Sequence, residues 1–185
     1  MAEYDQELLG AARRLLRSPH EKGKLSRARI RRSISTAYYA IFHFLLLEAG
    51  VRIIGAPNSL RRRRQTFARA FTHTGMKTAL GKVHGPQVDA SVAELLRPAG
   101  QTTGPVVSPA FVRNLAAAFL DAQAKRHDAD YDLNEPLTEL DAQRLIVRVE
   151  REIAAWRATN TAADRDFKHA LGVLMLLKGQ LRRES

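Results

Sequence analysis

The residues best suited to chemistry lie in two short stretches far apart in the chain. The first is Ser35-Thr36-Ala37-Tyr38-Tyr39-Ala40-Ile41-Phe42-His43, where two tyrosines and a histidine sit among apolar residues. The second is Arg126-His127-Asp128-Ala129-Asp130-Tyr131-Asp132. A helix that needed only a core would not carry so much hydrogen-bonding surface. On a helix, Arg32, Thr36, Tyr39 and His43 fall on one face, because their spacings follow the helical repeat. Such a face is half-buried and polar, as a site between helices requires. The simpler alternative is a core-edge tyrosine and histidine, each satisfied by one hydrogen bond. In the second stretch, Arg126 and Asp130 are one turn apart and can pair. That pair also reads as an ordinary helix-terminal salt bridge. His127 lies about 100° further round the helix than Arg126, so the two side chains diverge.

A third feature is the run Arg61-Arg62-Arg63-Arg64, with Arg69 beyond it. Four consecutive residues wrap around a helix, so they cannot all meet one surface. Phosphate binding and a solvated face both fit. Like charges at this density cost stability unless an acidic partner or a nucleic acid neutralises them.

Composition bounds these readings. The chain has 185 residues, 45% of them hydrophobic, which suits a globular domain with a real core. It has no cysteine, which excludes a disulfide scaffold, a thiolate metal site and a cysteine nucleophile. With no basic-then-apolar leader and no charge-free run long enough to span a bilayer, the expectation is a cytoplasmic protein with no membrane partner. The formal net charge of +11 favours phosphate-rich partners through counterion release. No metal-ligand cluster and no phosphate-binding glycine loop is recognisable, so no cofactor is expected.

The elements that must position these residues all read as helices. A first helix covers about 3–17, with Tyr4, Leu8, Ala11, Ala12 and Leu15 at helical spacing, and ends at Ser18-Pro19-His20 and Gly23. A long second helix covers about 24–49 on an Ile30, Ile34, Ala37, Ile41, Leu45 stripe and stops at Gly50. Ser59 caps a third helix reaching about Leu80. Residues 81–108 read as a long connection with a short helix at Val88–Leu96. Pro109 opens a fourth helix lined by Phe111, Leu115, Ala118, Phe119 and Ala122, which ends near Tyr131. Thr138 and Asp141 form a capping box for a fifth helix to about Ala158, striped by Leu145, Val149, Ile153 and Trp156. A sixth covers about 162–182 on Phe167, Ala170, Leu171, Leu174, Met175 and Leu181, flanked by Lys178, Arg182 and Arg183, with Lys168 and His169 reading as surface residues. No segment alternates as a strand would. The fold class is therefore all-α, an up-and-down bundle of five to six helices. Its organisation is a bundle over 1–160 and a C-terminal amphipathic helix over 161–185, on the bundle or at an interface.

Three segments in order resemble the HEPN superfamily. Tyr38-Tyr39-Ala40-Ile41-Phe42-His43 is similar to its signature on a long helix, His73-Thr74-Gly75 to a His-x-Gly near the third helix, and Arg126-His127-Asp128-Ala129-Asp130-Tyr131 to an Arg-x-x-Ala-Asp-Tyr segment closing the fourth. The resemblance covers about 5–158. It implies a helical bundle that commonly dimerises, and RNA as partner. It implies either a metal-independent ribonuclease of a toxin–antitoxin or defence system, or a non-catalytic module binding RNA, a nucleotide or a protein such as a cognate nucleotidyltransferase. In the ribonuclease members an Arg is followed, after four to six intervening residues, by His. Here no His follows Arg126 at that distance; Asp130 and Tyr131 stand downstream instead, and Thr36 replaces an Arg common just before Ala-Tyr-Tyr-Ala. A nuclease reading assigns catalysis to Arg126, His127, Asp130 and His43. RNA contact then falls to Arg32, Tyr39, His73 and the Arg61, Arg62, Arg63, Arg64 and Arg69 patch, and Tyr131 becomes a target of nucleotidyl transfer.

Overall fold

In the computed structural model, residues 4–17 and 26–181 are described. The expected first-helix terminator at 18–23, the start of the second helix and Arg182 and Arg183 lie outside the described residues. Within the described residues the regular structure is all helical, with one isolated antiparallel bridge, Gln87 to Val107, and no strand. The α-helices are α1 (Tyr4–Leu16), α2 (Arg27–Ile54), α3 (Arg61–Ala68), α4 (His73–Gly81), α5 (Ala93–Leu96), α6 (Ala110–Tyr131), α7 (Glu139–Ala158) and α8 (Ala162–Leu176).

The chain forms two compact units. The first comprises residues up to Phe44 together with Ala118–Ala154. It holds α1, most of α2 and α7, and the C-terminal part of α6. Its core is built on the expected stripes: Ile30, Ile34, Ala37 and Ile41 of α2, Ala118, Phe119 and Ala122 of α6, and Leu145, Val149 and Ile153 of α7 are buried. Tyr38, Ile34, Ile41 and Phe119 are among the largest side chains with no exposure. Each such burial contributes about 1.5–3 kcal/mol before entropy is counted. On α1 the buried residues are Asp5, Leu9, Ala12 and Leu16, so the inward face lies one residue round from the expected Tyr4–Leu8–Leu15 stripe. Ser33 on α2 fixes that rotation by donating to the Ala12 carbonyl at 2.9 Å in the core. The capping box at α7 is present: Thr138 N donates to the Asp141 carboxylate at 2.9 Å and Asp141 N to the Thr138 hydroxyl at 3.2 Å. The Thr138 hydroxyl bond holds the Asp141 carboxyl below its ordinary pKa.

The second unit comprises Leu45–Ala117 and residues from Ala155 onward. Here α8 packs on α4 and α5. Four boundaries differ from the sequence reading. Gly50 does not stop α2; it is buried against the aliphatic stem of Arg64, and Gly55, at φ +112°, ends the helix. The third helix is two, α3 and α4, because Thr72 starts a new helix by accepting from Gly75 N at 3.1 Å. Ser59 lies in a 3-10 turn, Asn58–Leu60, and caps nothing. Finally, α8 stops at Leu176. Lys178 takes a left-handed conformation (φ 57°), and Gly179 N returns to the Leu174 carbonyl at 2.9 Å, a Schellman closure. Leu181 therefore lies beyond the helix and is exposed. Residues 81–108 are held in place: Ser108, fully buried, donates to the Val83 carbonyl at 2.6 Å, and Val88 N to that of Val106 at 2.9 Å.

Lys168 is not a surface residue. It is 2% exposed, and its ammonium donates to the Trp156 and Thr159 carbonyls at 2.7 and 2.5 Å, closing the C-terminal end of α7. The same nitrogen lies 4.9 Å from the Trp156 ring centre and 5.1 Å from that of Phe111. Burial, then the charge of Arg52, pushes the Lys168 pKa down. The one described helix long and apolar enough to cross a membrane is α2, and half of its apolar window is buried within the protein.

Candidate functional site

Both stretches of interest fall in the first unit and meet around one guanidinium. Ser35, Tyr38, Tyr39 and Phe42 recur at helical spacing on α2, and Arg126, Asp130 and Tyr131 end α6. The Arg126 guanidinium lies 5.9 Å from the Tyr38 ring centre, 5.8 Å from that of Tyr39 and 5.7 Å from that of Tyr131. Its Nη2 donates to the Tyr39 hydroxyl at 3.5 Å, a long contact. Its Nε lies 2.6 Å from the Asp130 carboxylate, as an ion pair and not an aligned hydrogen bond. The other Asp130 oxygen accepts from the buried Ser35 hydroxyl. Arg126 is thus a cation in an aromatic box with one carboxylate counter-ion. Burial works against its charge, but Tyr39, Asp130, Tyr131 and Tyr38 outweigh it and hold its pKa above the ordinary value. Burial pushes the Tyr38 hydroxyl well above its ordinary range, opposed by Arg126 and reinforced by Tyr39.

The end of α6 is pinned from α2. Arg31 donates to the Asp128, Ala129 and Glu135 carbonyls at 2.9, 3.1 and 2.9 Å, and Arg27 donates to that of Leu133 at 2.5 Å. Asp128 and Ala129 belong to the last turn of α6 and Leu133 and Glu135 lie just beyond it, and cations at a helix C-terminus suit its dipole. The position of Arg126 and Asp130 is therefore set by arginines one helix away.

His43 lies on the other side of Tyr39. Its ring packs edge-on to Tyr4 at 5.3 Å and to Phe42 at 5.5 Å, and is stacked with Tyr39 at 6.2 Å. Burial lowers its pKa. Tyr39 touches both the His43 ring and the Arg126 guanidinium. The other two members of the expected polar face contribute little: Arg32 is exposed, and Thr36 donates back to the Arg32 carbonyl at 2.7 Å. His127 points outward, its side chain 71% exposed, with its ring 5.1 Å from that of Tyr131. Tyr131 is 66% exposed.

The remaining expected contacts belong to the second unit. His73 is the first residue of α4. Arg61, Arg62, Arg63 and Arg69 are exposed. Arg64 is not: it is 6% exposed and donates to the Gly55 and Pro57 carbonyls at 2.6 and 3.0 Å, so it is not available to RNA. Sequence reading missed Ser35, Tyr38, Tyr4, Arg31 and Lys168. The Ser35–Tyr38–Tyr39–Phe42 spacing carried a signal for the first two; nothing in the sequence marks Arg31 among four arginines of α2's first turns. Among the described residues, no three His, Asp or Glu side chains converge as a metal site requires. No protein-family model, curated protein or solved structure matches the chain.

Proposed function

We propose that the chain is an RNA-directed helical protein of the HEPN type that acts as a non-catalytic binding module. The observation that carries this reading is the occupation of Arg126 by Asp130, itself held by Ser35. General acid–base cleavage of RNA needs an imidazole within about 3 Å of the 2′-hydroxyl and a free cation for the phosphorane. Here the cation already has its carboxylate and its ring box, and a phosphate would have to displace Asp130. His127 projects outward onto Tyr131, and His43 is separated from Arg126 by the Tyr39 ring. The formal charge of +11 supports a polyanionic partner.

A second reading rests on the exposure of Tyr131: its accessible hydroxyl suits acceptance of a nucleotidyl group from a cognate transferase. The test of the first reading is incubation of the protein with labelled tRNA or total RNA in EDTA, beside Arg126→Ala and His43→Ala. Binding that weakens steeply with salt, with no cleavage, is the expected result. EDTA-resistant cleavage abolished by either substitution refutes it and makes the protein a ribonuclease.

A further inference from the structure

The excess of positive charge is not shared between the two units. Counted over the sequence, the first unit carries 14 Lys and Arg against 13 Asp and Glu, and the second 16 against 6. The Arg126 centre therefore sits in a nearly neutral unit, with Asp128, Asp130 and Asp132 in its own stretch. A polyanion is drawn elsewhere.

Within the second unit, α3 is the densest source of that charge. Arg64 orients it. The Arg64 stem packs on Gly50, and its guanidinium closes the carbonyls of Gly55 and Pro57. With Arg64 turned inward, helix geometry places Arg62 about 200° round and Arg63 about 100° round, and Arg61 on the opposite flank. All three are exposed, as is Arg69 two turns beyond Arg62. None of the ion pairs among the described residues involves any of the four. Other cations do face carboxylates: Arg126, Arg148 and Lys125 in the first unit, and Arg52, Lys82 and Arg97 in the second. Adjacent cations without counter-ions raise the free energy of the unbound protein and lower it when phosphates arrive. The large exposed apolar residues, among them Val107, Tyr131, Leu133, Leu140 and Val147, include none from α3 or α4. A lipid surface needs an apolar face to insert; a phosphate polymer does not.

We infer that the exposed arginines around α3, Arg62 and Arg69 on its outward side with Arg61 and Arg63 flanking them, bind the phosphate backbone of RNA, with Arg64 as their structural anchor and the Arg126 centre taking no part. This rests on the RNA-directed reading above and names its contact surface.

The experiment is fluorescence anisotropy of a labelled single-stranded oligoribonucleotide, titrated with the full chain at a series of salt concentrations. The variants are Arg61→Gln/Arg62→Gln/Arg63→Gln combined, and Arg126→Gln. Each phosphate contact to a single strand contributes about 0.7 to the log–log salt slope, so the triple variant is expected to lose about 2 from that slope, and Arg126→Gln none. Thermal unfolding of the triple variant should be no lower than that of the original chain, since only exposed like charges are removed. A triple variant that binds with an unchanged slope overturns the α3 assignment and leaves the RNA-directed reading standing. A slope reduced by Arg126→Gln instead moves the contact to the first unit and overturns it equally. Absence of RNA binding by the original chain at low salt, or binding only to vesicles containing an anionic lipid, overturns both.

Discussion

Replacing Asp130 by Asn removes one charge from the Arg126 centre and leaves its shape nearly unchanged. The amide oxygen can still accept from the Ser35 hydroxyl, so that bond is conserved. What disappears is the attraction across 2.6 Å to Arg126. The two side chains are 20% and 28% exposed, between a surface pair and a buried one. Exposed pairs contribute about 0.2–1 kcal/mol, and breaking a buried pair costs about 3–5, so Asp130→Asn should cost about 1–2 kcal/mol. Arg126→Met loses the same pair and the contacts with three tyrosine rings, each about 0.5–1 kcal/mol, for a total of about 2.5–5 kcal/mol. The double variant isolates the pair. Urea unfolding followed by circular dichroism on the original chain, both single variants and the double variant should give a coupling energy of about 1–2 kcal/mol. That coupling should shrink in molar salt, because the site is partly open to ions. Effects that add to within about 0.5 kcal/mol would refute the argument that Asp130 neutralises Arg126.

Three further outcomes follow from the same geometry. Lys168→Met strips the charged donor from the Trp156 and Thr159 carbonyls. Because the Thr159 hydroxyl still reaches the Trp156 carbonyl at 3.0 Å, the expected loss is about 2–3 kcal/mol by urea unfolding; a change under about 0.5 kcal/mol, as for a solvated lysine, would restore the surface reading of this residue. Gly179→Ala and Gly100→Ala separate clash from backbone strain: both glycines have positive φ, but a Cβ at 179 meets Ala79 N at 2.9 Å while one at 100 meets nothing within 4 Å. Gly179→Ala should therefore cost about 2–3 kcal/mol and Gly100→Ala about 1, and equal melting temperatures would contradict the close approach. Because burial lowers the folded-state pKa of His43, the unfolded chain binds the proton more tightly; stability is full above the ordinary histidine value of about 6.5 and falls as pH drops below it. His43→Gln should flatten the stability–pH curve just below about pH 6.5, and an unchanged slope would show that another group sets it.

Helix stripes were legible because burial on one face repeats with the helical period. The residues that the spacing marks on α2, α6 and α7 are buried, alongside others that it does not mark, such as Tyr38, Ala116 and Ile146. Helix ends were legible where a local cap writes them, as at Thr138 and Asp141, and illegible where a distant contact sets them. Gly50 looks like a stop in sequence, yet α2 runs on past it beside the Arg64 stem, and Gly55 ends the helix. The rotation of α1 by one residue is decided by Ser33, a hydrogen bond no local pattern records.

The Tyr38–His43 and Arg126–Tyr131 stretches were singled out by residue type alone, and the sequence determined that they are helical, apolar-flanked and rich in hydrogen-bonding groups. It also determined the total charge of +11 and the lack of thiol chemistry. Only the tertiary structure decided which groups touch. It joined Ser35 to Asp130, brought Tyr38 and Tyr39 of α2 against Arg126, turned Arg64 and Lys168 inward, and left Arg61, Arg62, Arg63 and Arg69 outside. The physical reason is that helical periodicity fixes a residue's direction relative to its own axis, whereas a charge's partner is chosen by helices that arrive from elsewhere in the chain.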